Sequence, residues 1–333
     1  MLLLAAVSVR FLIPPYGEPG FHGAGGTRVA LLLGFYALIL SAYQNVPFER
    51  LLRTLAIIGS IAAAIAVATF LRQGGFADRI EFLGRSAHPI MGAGAIATSL
   101  AAVIVLLRGR SRGTHLTLAL VAMAATQATA LYLSGSRGPM VSFLLAVLLA
   151  PLLAQRRFPM PLFLCGLCVW ASVSLMALLD GHIQAALCPM TSLACRPSNR
   201  PETWAAALRM IADHPLLGVG YRYRFPDIPH AHNAYLGLAL HFGIPVLVAF
   251  VAFSAACARD IVRMASADER SFVVMLYIFA NGFMGTDLND PFRFLNSHYL
   301  FLWLPLFLAT IARKRTSDVT PAPVRTAARL SDA

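Results

Sequence analysis

Chemistry in this chain is concentrated where a long polar segment runs into an apolar stretch, at His230-Ala-His-Asn-Ala-Tyr-Leu236. Just upstream lies Gly218-Val-Gly-Tyr-Arg-Tyr-Arg224, a glycine-broken run carrying two arginines. A helix that begins here directs its free backbone N–H groups outward, and such groups attract anions. The same partial positive charge lowers the pKa of a nearby imidazole and favours its neutral, proton-accepting form. An anion site beside a neutral, proton-accepting histidine is the chemistry these residue types allow. His232, immediately before the apolar stretch, is better placed for this than His230, and Asn233 and Tyr235 border it.

Four arginines could serve the anion. Arg137 sits in Ser134-Gly-Ser-Arg-Gly-Pro139 between two apolar stretches. Taken alone it reads equally well as an interfacial arginine reaching to headgroups or as a fixed phosphate ligand. Gly135 and Gly138 would then allow close backbone approach. Arg200 has loop solvation as its ordinary alternative. Arg222 and Arg224 alternate with Tyr221 and Tyr223, so one of each pair could face a site, and spacing leaves open which. His88 before Pro89, with Arg85 nearby, repeats the theme at another helix start, as does Asp290-Pro-Phe-Arg293. These are expected to line a substrate groove.

Metal and thiol chemistry are disfavoured. The pair His230 and His232 has no third ligand at fixed spacing, and no cofactor motif occurs. Cys165 and Cys168 form a CxxC inside an apolar stretch, where small buried hydrophobes are the expected reading. Cys188 and Cys195 flank a polar loop segment and would suit a disulfide if that loop is extracytoplasmic.

The elements that must position these residues are membrane helices. Of 333 residues, 58% are hydrophobic and 13% charged, against about 25% charged in a soluble domain. Mean hydropathy is +0.69. The net charge of +12 does not signal nucleic acid, because the arginines fall in short connections rather than on one soluble face. Expected spans are 2–13, 29–44, 51–71, 89–107, 114–133, 140–154, 159–179, 234–258, 272–286 and 297–312, about ten in an all-α polytopic protein. Met1 to Ile13 lacks a basic leader and a cleavage site, so it reads as a short first span or its remnant.

Under a single threading, Arg50 and Arg53, then Arg108, Arg110 and Arg112, then Arg156 and Arg157 share one side. Arg259, Arg263 and Arg270 share it too, as do Arg313, Lys314 and Arg315. The positive-inside rule makes that side cytoplasmic, with both termini. The division expected is 1–179 as N-terminal spans, 180–232 as an external loop with the reactive motifs, 233–315 as C-terminal spans, and 316–333 as a disordered cytoplasmic tail. Within the loop, Asn199 with Glu202 three residues on and Pro201 in the first turn signals a helix start. Trp204, Leu208 and Ile211 then share one face up to His214-Pro215. The expectation is an amphipathic helix lying on the outer membrane interface, anchored by Trp204.

Taken in order, Ser136-Arg-Gly138, Arg200-x-x-x-Trp204, His214-Pro-Leu-Leu-Gly-Val-Gly220, His232-Asn-Ala-Tyr-Leu236 and Gly243-Ile-Pro245 resemble the O-antigen ligase/polymerase superfamily. The resemblance spans roughly Arg85 to Pro245. It implies a membrane glycosyltransferase of the GT-C type, working without metal or nucleotide sugar on the periplasmic side of a bacterial inner membrane. Its donor would be a glycan on undecaprenyl diphosphate, and its acceptor a sugar hydroxyl of lipid A core or of a growing glycan. The family's essential turn arginine, loop arginine and histidine correspond to Arg137, Arg200 and His232. The chain is shorter at its N-terminal end than relatives that carry additional spans. On this reading Arg137 and Arg200, with Arg222, clamp the diphosphate, and His232 takes the proton of the attacking hydroxyl with inversion at the anomeric carbon. A ligase and a polymerase share these motifs. A lipid-linked glycan exporter is a further alternative, disfavoured because the spans are nearly free of charge. Asp227, Glu202, Asp287 and Asp290 are the carboxylates available to orient His232.

Overall fold

In lipid every backbone polar group must be satisfied internally, so a chain this apolar has helices as its natural spanning element. The computed structural model describes residues 24–74, 79–109, 113–155, 158–179, 181–182, 200–220, 231–288, 291–292 and 296–318, together with Leu3 and Val7. For Ala24, Gly25, Arg85 and 314–318 it describes the backbone alone.

Among the described residues the chain forms eleven α-helices and no strand. In order these are α1 (Ala24–Asn45), α2 (Phe48–Arg72), α3 (Pro89–Leu107), α4 (Thr114–Leu133), α5 (Arg137–Ala154) and α6 (Pro159–Leu178). There follow α7 (Arg200–Asp213), α8 (Ala234–Phe242), α9 (Ile244–Val262), α10 (Ala267–Thr286) and α11 (Leu304–Asp318), the last entered through a π-helical turn at Tyr299–Trp303. Seven of them, α1 to α6 and α9, are long and apolar enough to cross a membrane. The remaining expected spans differ for identifiable reasons. The polar first turn and mid-helix Asn281 of α10 lower its hydropathy, α11 is short, and 2–13 lies largely outside the described residues.

The bundle is built around α10. Every residue from Phe272 to Thr286 is buried, with α5 and α6 as the main neighbours and α3, α8, α9 and α11 completing the wall. Association of helices in lipid depends on close packing and hydrogen bonds rather than on the hydrophobic effect. Gly282 meets α5 so closely that a Cβ there would lie 2.5 Å from Ser142 Oγ, and one on Gly285 would lie 2.8 Å from Ser174 Oγ of α6. The Tyr235 hydroxyl donates to Asn281 Oδ1 at 2.7 Å, and Asn281 Nδ2 donates back to the Tyr277 carbonyl at 2.8 Å. Around this core, Leu38 of α1, Ile58 and Ile61 of α2, Leu118 of α4, Leu148 of α5 and Val248 of α9 point outward and are exposed. A soluble protein would not present such a surface, but lipid contact requires it.

Three expectations need correction. The span 234–258 is not one helix: it breaks at Gly243, whose φ of +88° divides α8 from α9. The loop helix α7 forms as expected, but Thr203, Trp204, Ala207 and Ile211 are buried. Ala207 and Ile211 cluster with Val219, Ala231, Ala239 and Leu240. The Trp204, Ala207 and Ile211 part of its apolar face covers the α8 end of the bundle, while Leu208 stays exposed. In addition, α11 runs to Asp318, into the segment expected to be tail.

Candidate functional site at the end of the central helix

Four helix ends meet at one end of the bundle: the C-terminus of α10 and the N-termini of α5, α7 and α8. The turn leading into α5 is held by short local bonds. Gly135 adopts φ +58°, a conformation costly for other residues. The Ser134 hydroxyl donates to the Leu131 carbonyl at 2.6 Å, and the Ser136 N–H donates to Ser134 Oγ at 3.2 Å. Ser136 is the residue before α5, and half-buried Arg137 is the first residue within it. Across the turn, Arg79 Nε donates to the Ser134 carbonyl at 2.7 Å and its terminal nitrogen to Ser136 Oγ at 2.5 Å.

Gly138 brings this turn against the end of α10. A Cβ there would lie 2.0 Å from Asp287 Oδ2 and 2.3 Å from Thr286 Oγ1. The close approach expected of Gly138 is therefore made, to a carboxylate of the protein. The other oxygen of Asp287 accepts from Arg200 at 3.1 Å, while Arg200 Nε donates to the Thr286 carbonyl at 3.2 Å. The Thr286 hydroxyl donates to Asp287 Oδ2 at 2.8 Å. Asp287 thus joins the Arg200 side chain to the turn that carries Arg137. Its carboxylate adds to the partial negative charge of the α10 C-terminus, and cations gathered there are favourably placed.

The histidine arrives on α8. Asn233 caps that helix: its Oδ1 accepts from the Tyr235 and Leu236 N–H groups at 3.1 and 3.2 Å. Its Nδ2 donates to the Gly285 carbonyl at 3.2 Å, which sets His232 beside the last turn of α10. His232 itself is half-buried with φ +50°, where few residues other than glycine sit comfortably. The expectation that the first N–H groups of α8 lie open to an anion is corrected, because Asn233 occupies two of them. Trp204 supports the same turn from α7, donating its indole N–H to the Ala231 carbonyl at 2.6 Å. It is a buried strut, 6% exposed.

Gly218 and Gly220 also have a structural task. The Val219 N–H donates to the Leu240 carbonyl at 2.7 Å, and the Ile244 N–H to the Pro215 carbonyl at 2.8 Å. The protonated Nδ1 of His241 faces the Gly220 carbonyl at 2.9 Å. A Cβ on Gly218 would lie 2.4 Å from the Leu240 carbonyl oxygen. The run His214–Gly220 is thereby laid over the α8–α9 break and satisfies backbone groups exposed there.

The structure brings together Arg137, Arg200, His232 and Asn233. Tyr235 lies one turn deeper, edge-on to Trp170 and bonded to Asn281. His88 caps α3, its Nδ1 accepting from the Ile90 N–H at 3.4 Å, and the backbone of Arg85 lies in a 3-10 turn just before it. Tyr221, Arg222, Arg224, His230 and Arg293 lie outside the described residues, as do Asp227, Asp290, Cys188, Cys195 and Asn199. Glu202 is exposed in the first turn of α7. Arg79 and the junction role of Asp287 were not read from sequence. Each lies far along the chain from the motif it supports, and only tertiary packing joins them, Arg79 to the turn before α5 and Asp287 to Arg200. Among the described residues no group of three or more His, Cys, Asp or Glu could hold a metal ion.

Fold and site together define a multi-pass helical membrane protein with a cationic, histidine-bearing site at one end of the bundle. Residues 118–251, about two fifths of the chain, match the O-antigen ligase family, and this segment holds Arg137, Arg200 and His232. The resemblance seen in the motifs is borne out by that match, which indicates function of the O-antigen ligase/polymerase type in a membrane glycosyltransferase-like enzyme acting on lipid-linked glycan. No curated protein and no solved structure matches the chain.

Proposed function

We propose that the protein transfers a glycan from undecaprenyl diphosphate to a sugar hydroxyl of lipid A core, on the periplasmic side of a bacterial inner membrane. The observation that carries this reading is the meeting of Arg137, Arg200 and His232–Asn233 around Gly285–Asp287. Arg137 and Arg200 bind the diphosphate through charge-assisted, fork-shaped contacts. Arg222 joins them as a third ligand from the same external segment. His232 accepts the proton as the acceptor oxygen attacks the anomeric carbon. The bond from that carbon to the diphosphate oxygen breaks on the opposite face, and undecaprenyl diphosphate leaves as a stable anion. The anomeric centre is inverted, without a metal or a general acid.

The orientation rests on charge distribution. Arg108, Arg259, Arg263 and Arg270 lie at the end of the bundle opposite the site, where Arg270 donates to the carbonyls of Ala154 and Met264 at 2.6 and 2.5 Å. The positive-inside rule places that end in the cytoplasm and the site outside.

The test is deletion of the gene in its host, followed by separation of surface glycolipids by size. Loss of polymer from lipid A core, with long glycan accumulating on undecaprenyl diphosphate, is the expected result. Cores capped by a single repeat unit would instead make the protein a polymerase of the same chemistry. Unchanged lipopolysaccharide would remove lipid A core as the acceptor.

A further inference from the structure

We infer that Arg79 is a positioning residue for the proposed reaction, holding the turn that presents Arg137 to an anionic diphosphate. The inference rests on the reading of Arg137 as a diphosphate ligand. Arg79 belongs to the segment between α2 and α3, 58 residues before Arg137. Its guanidinium makes a two-point contact with the turn, through Nε to the Ser134 carbonyl at 2.7 Å and through a terminal nitrogen to Ser136 Oγ at 2.5 Å. The neighbouring Ile80 N–H donates to the Leu133 carbonyl at 3.1 Å, so the two chain segments lie side by side at this point. Ser134 and Ser136 are both buried, and Ile80 is fully so.

This geometry bears directly on Arg137. Ser136 immediately precedes α5, so its position fixes the axis and rotation of the first turn of that helix. Ser134 and Gly135 supply the reversal, with Gly135 at positive φ and the Ser134 hydroxyl bonding the turn from within. A second lock comes from outside, as the planar Arg79 fork bridging residues two apart. A lysine could reach one acceptor but could not reproduce the fork. Removing the fork leaves the turn held only by its own bonds, among them a 3.3 Å contact from the Ser136 hydroxyl to the Ser134 carbonyl, and loosens the start of α5. A cationic ligand displaced by about 1 Å loses much of its value to a fixed anion.

The experiment uses the full-length protein purified in detergent, with binding of undecaprenyl diphosphate itself as the readout. Arg79→Ala and Arg79→Lys are each expected to weaken binding about tenfold, the scale of losing a charge-assisted hydrogen bond. Ser136→Ala, which removes one of the two acceptors and keeps every arginine, should fall between these variants and the wild type. In an Arg137→Ala background, Arg79→Ala should weaken binding no further, because Arg79 acts through Arg137. Wild-type affinity in both Arg79→Lys and Ser136→Ala would overturn the inference even if Arg79→Ala fails to fold. Full additivity with Arg137→Ala would overturn it too, since Arg79 would then meet the anion independently. Wild-type affinity in Arg137→Ala alone would instead strike at the diphosphate-binding reading of Arg137.

Discussion

At the scale of single residues, the site depends on groups that are constrained rather than merely present. His232 sits at φ +50°, and a β-carbon in that region costs about 1 kcal/mol. His232→Gly is therefore expected to match or exceed wild-type thermal stability while losing transfer altogether, measured by thermal unfolding in detergent beside a transfer assay. His232→Ala should lose transfer equally while keeping the strain. Asp287 gives a second case. Its carboxylate is 3% exposed and bonded to Arg200, whose side chain is 21% exposed. Asp287→Asn should cost about 2 kcal/mol of stability, because a hydrogen bond to a charged group is weakened at a buried junction. It should also lower activity at least tenfold, by releasing Arg200. Activity unchanged in a stable Asp287→Asn protein would detach Arg200 from the proposed site. The sequence marked Arg137, Arg200 and His232 because each stands in a short motif beside glycine, proline or a helix start. Asp287 appeared only as one of four carboxylates available to orient the histidine, and the structure pairs it with Arg200.

At the scale of elements, the decisive feature is how α5, α7 and α8 dock on the last turn of α10. Gly138 permits the α5 contact, and Gly138→Ala would place a methyl group 2.0 Å from Asp287 Oδ2. The expected cost is about 1–3 kcal/mol from overpacking, with a loss of activity greater than that stability change alone would produce. Stability can be read by thermal unfolding and activity at a temperature where both proteins are folded. Trp204→Phe keeps the ring volume largely intact but deletes the N–H bonded to the Ala231 carbonyl. About 1 kcal/mol of stability should go with it, and transfer should fall because Ala231 adjoins His232. A result confined to membrane binding would restore the interfacial-anchor reading of this tryptophan. Helix periodicity found α7 and its apolar face, yet could not say what that face covers. A face that meets lipid and a face that meets α8 look the same in sequence.

At the scale of the whole molecule, hydropathy located the spanning helices to within a few residues because lipid-facing surfaces must be apolar. It was weakest for the element at the centre. From Phe272 on α10 is surrounded by protein, so Asn281 is tolerated there, while its charged first turn lies beyond the buried stretch, and a central helix need not be the most hydrophobic one. The bend at Gly243 was hidden for a related reason: apolar residues continue on both sides, and the backbone groups freed there are met by His214–Gly220. The central claim is that the end of this bundle is a transferase site for glycan on undecaprenyl diphosphate. The most direct measurement reconstitutes the full-length protein in lipid vesicles with glycan-bearing undecaprenyl diphosphate and lipid A core, and follows release of free undecaprenyl diphosphate alongside glycosylated product. Release with wild-type protein, and its loss by at least a hundredfold in each of Arg137→Ala, Arg200→Ala and His232→Ala, is the predicted result. Movement of intact donor across the bilayer without release, or release that survives in all three variants, would contradict it.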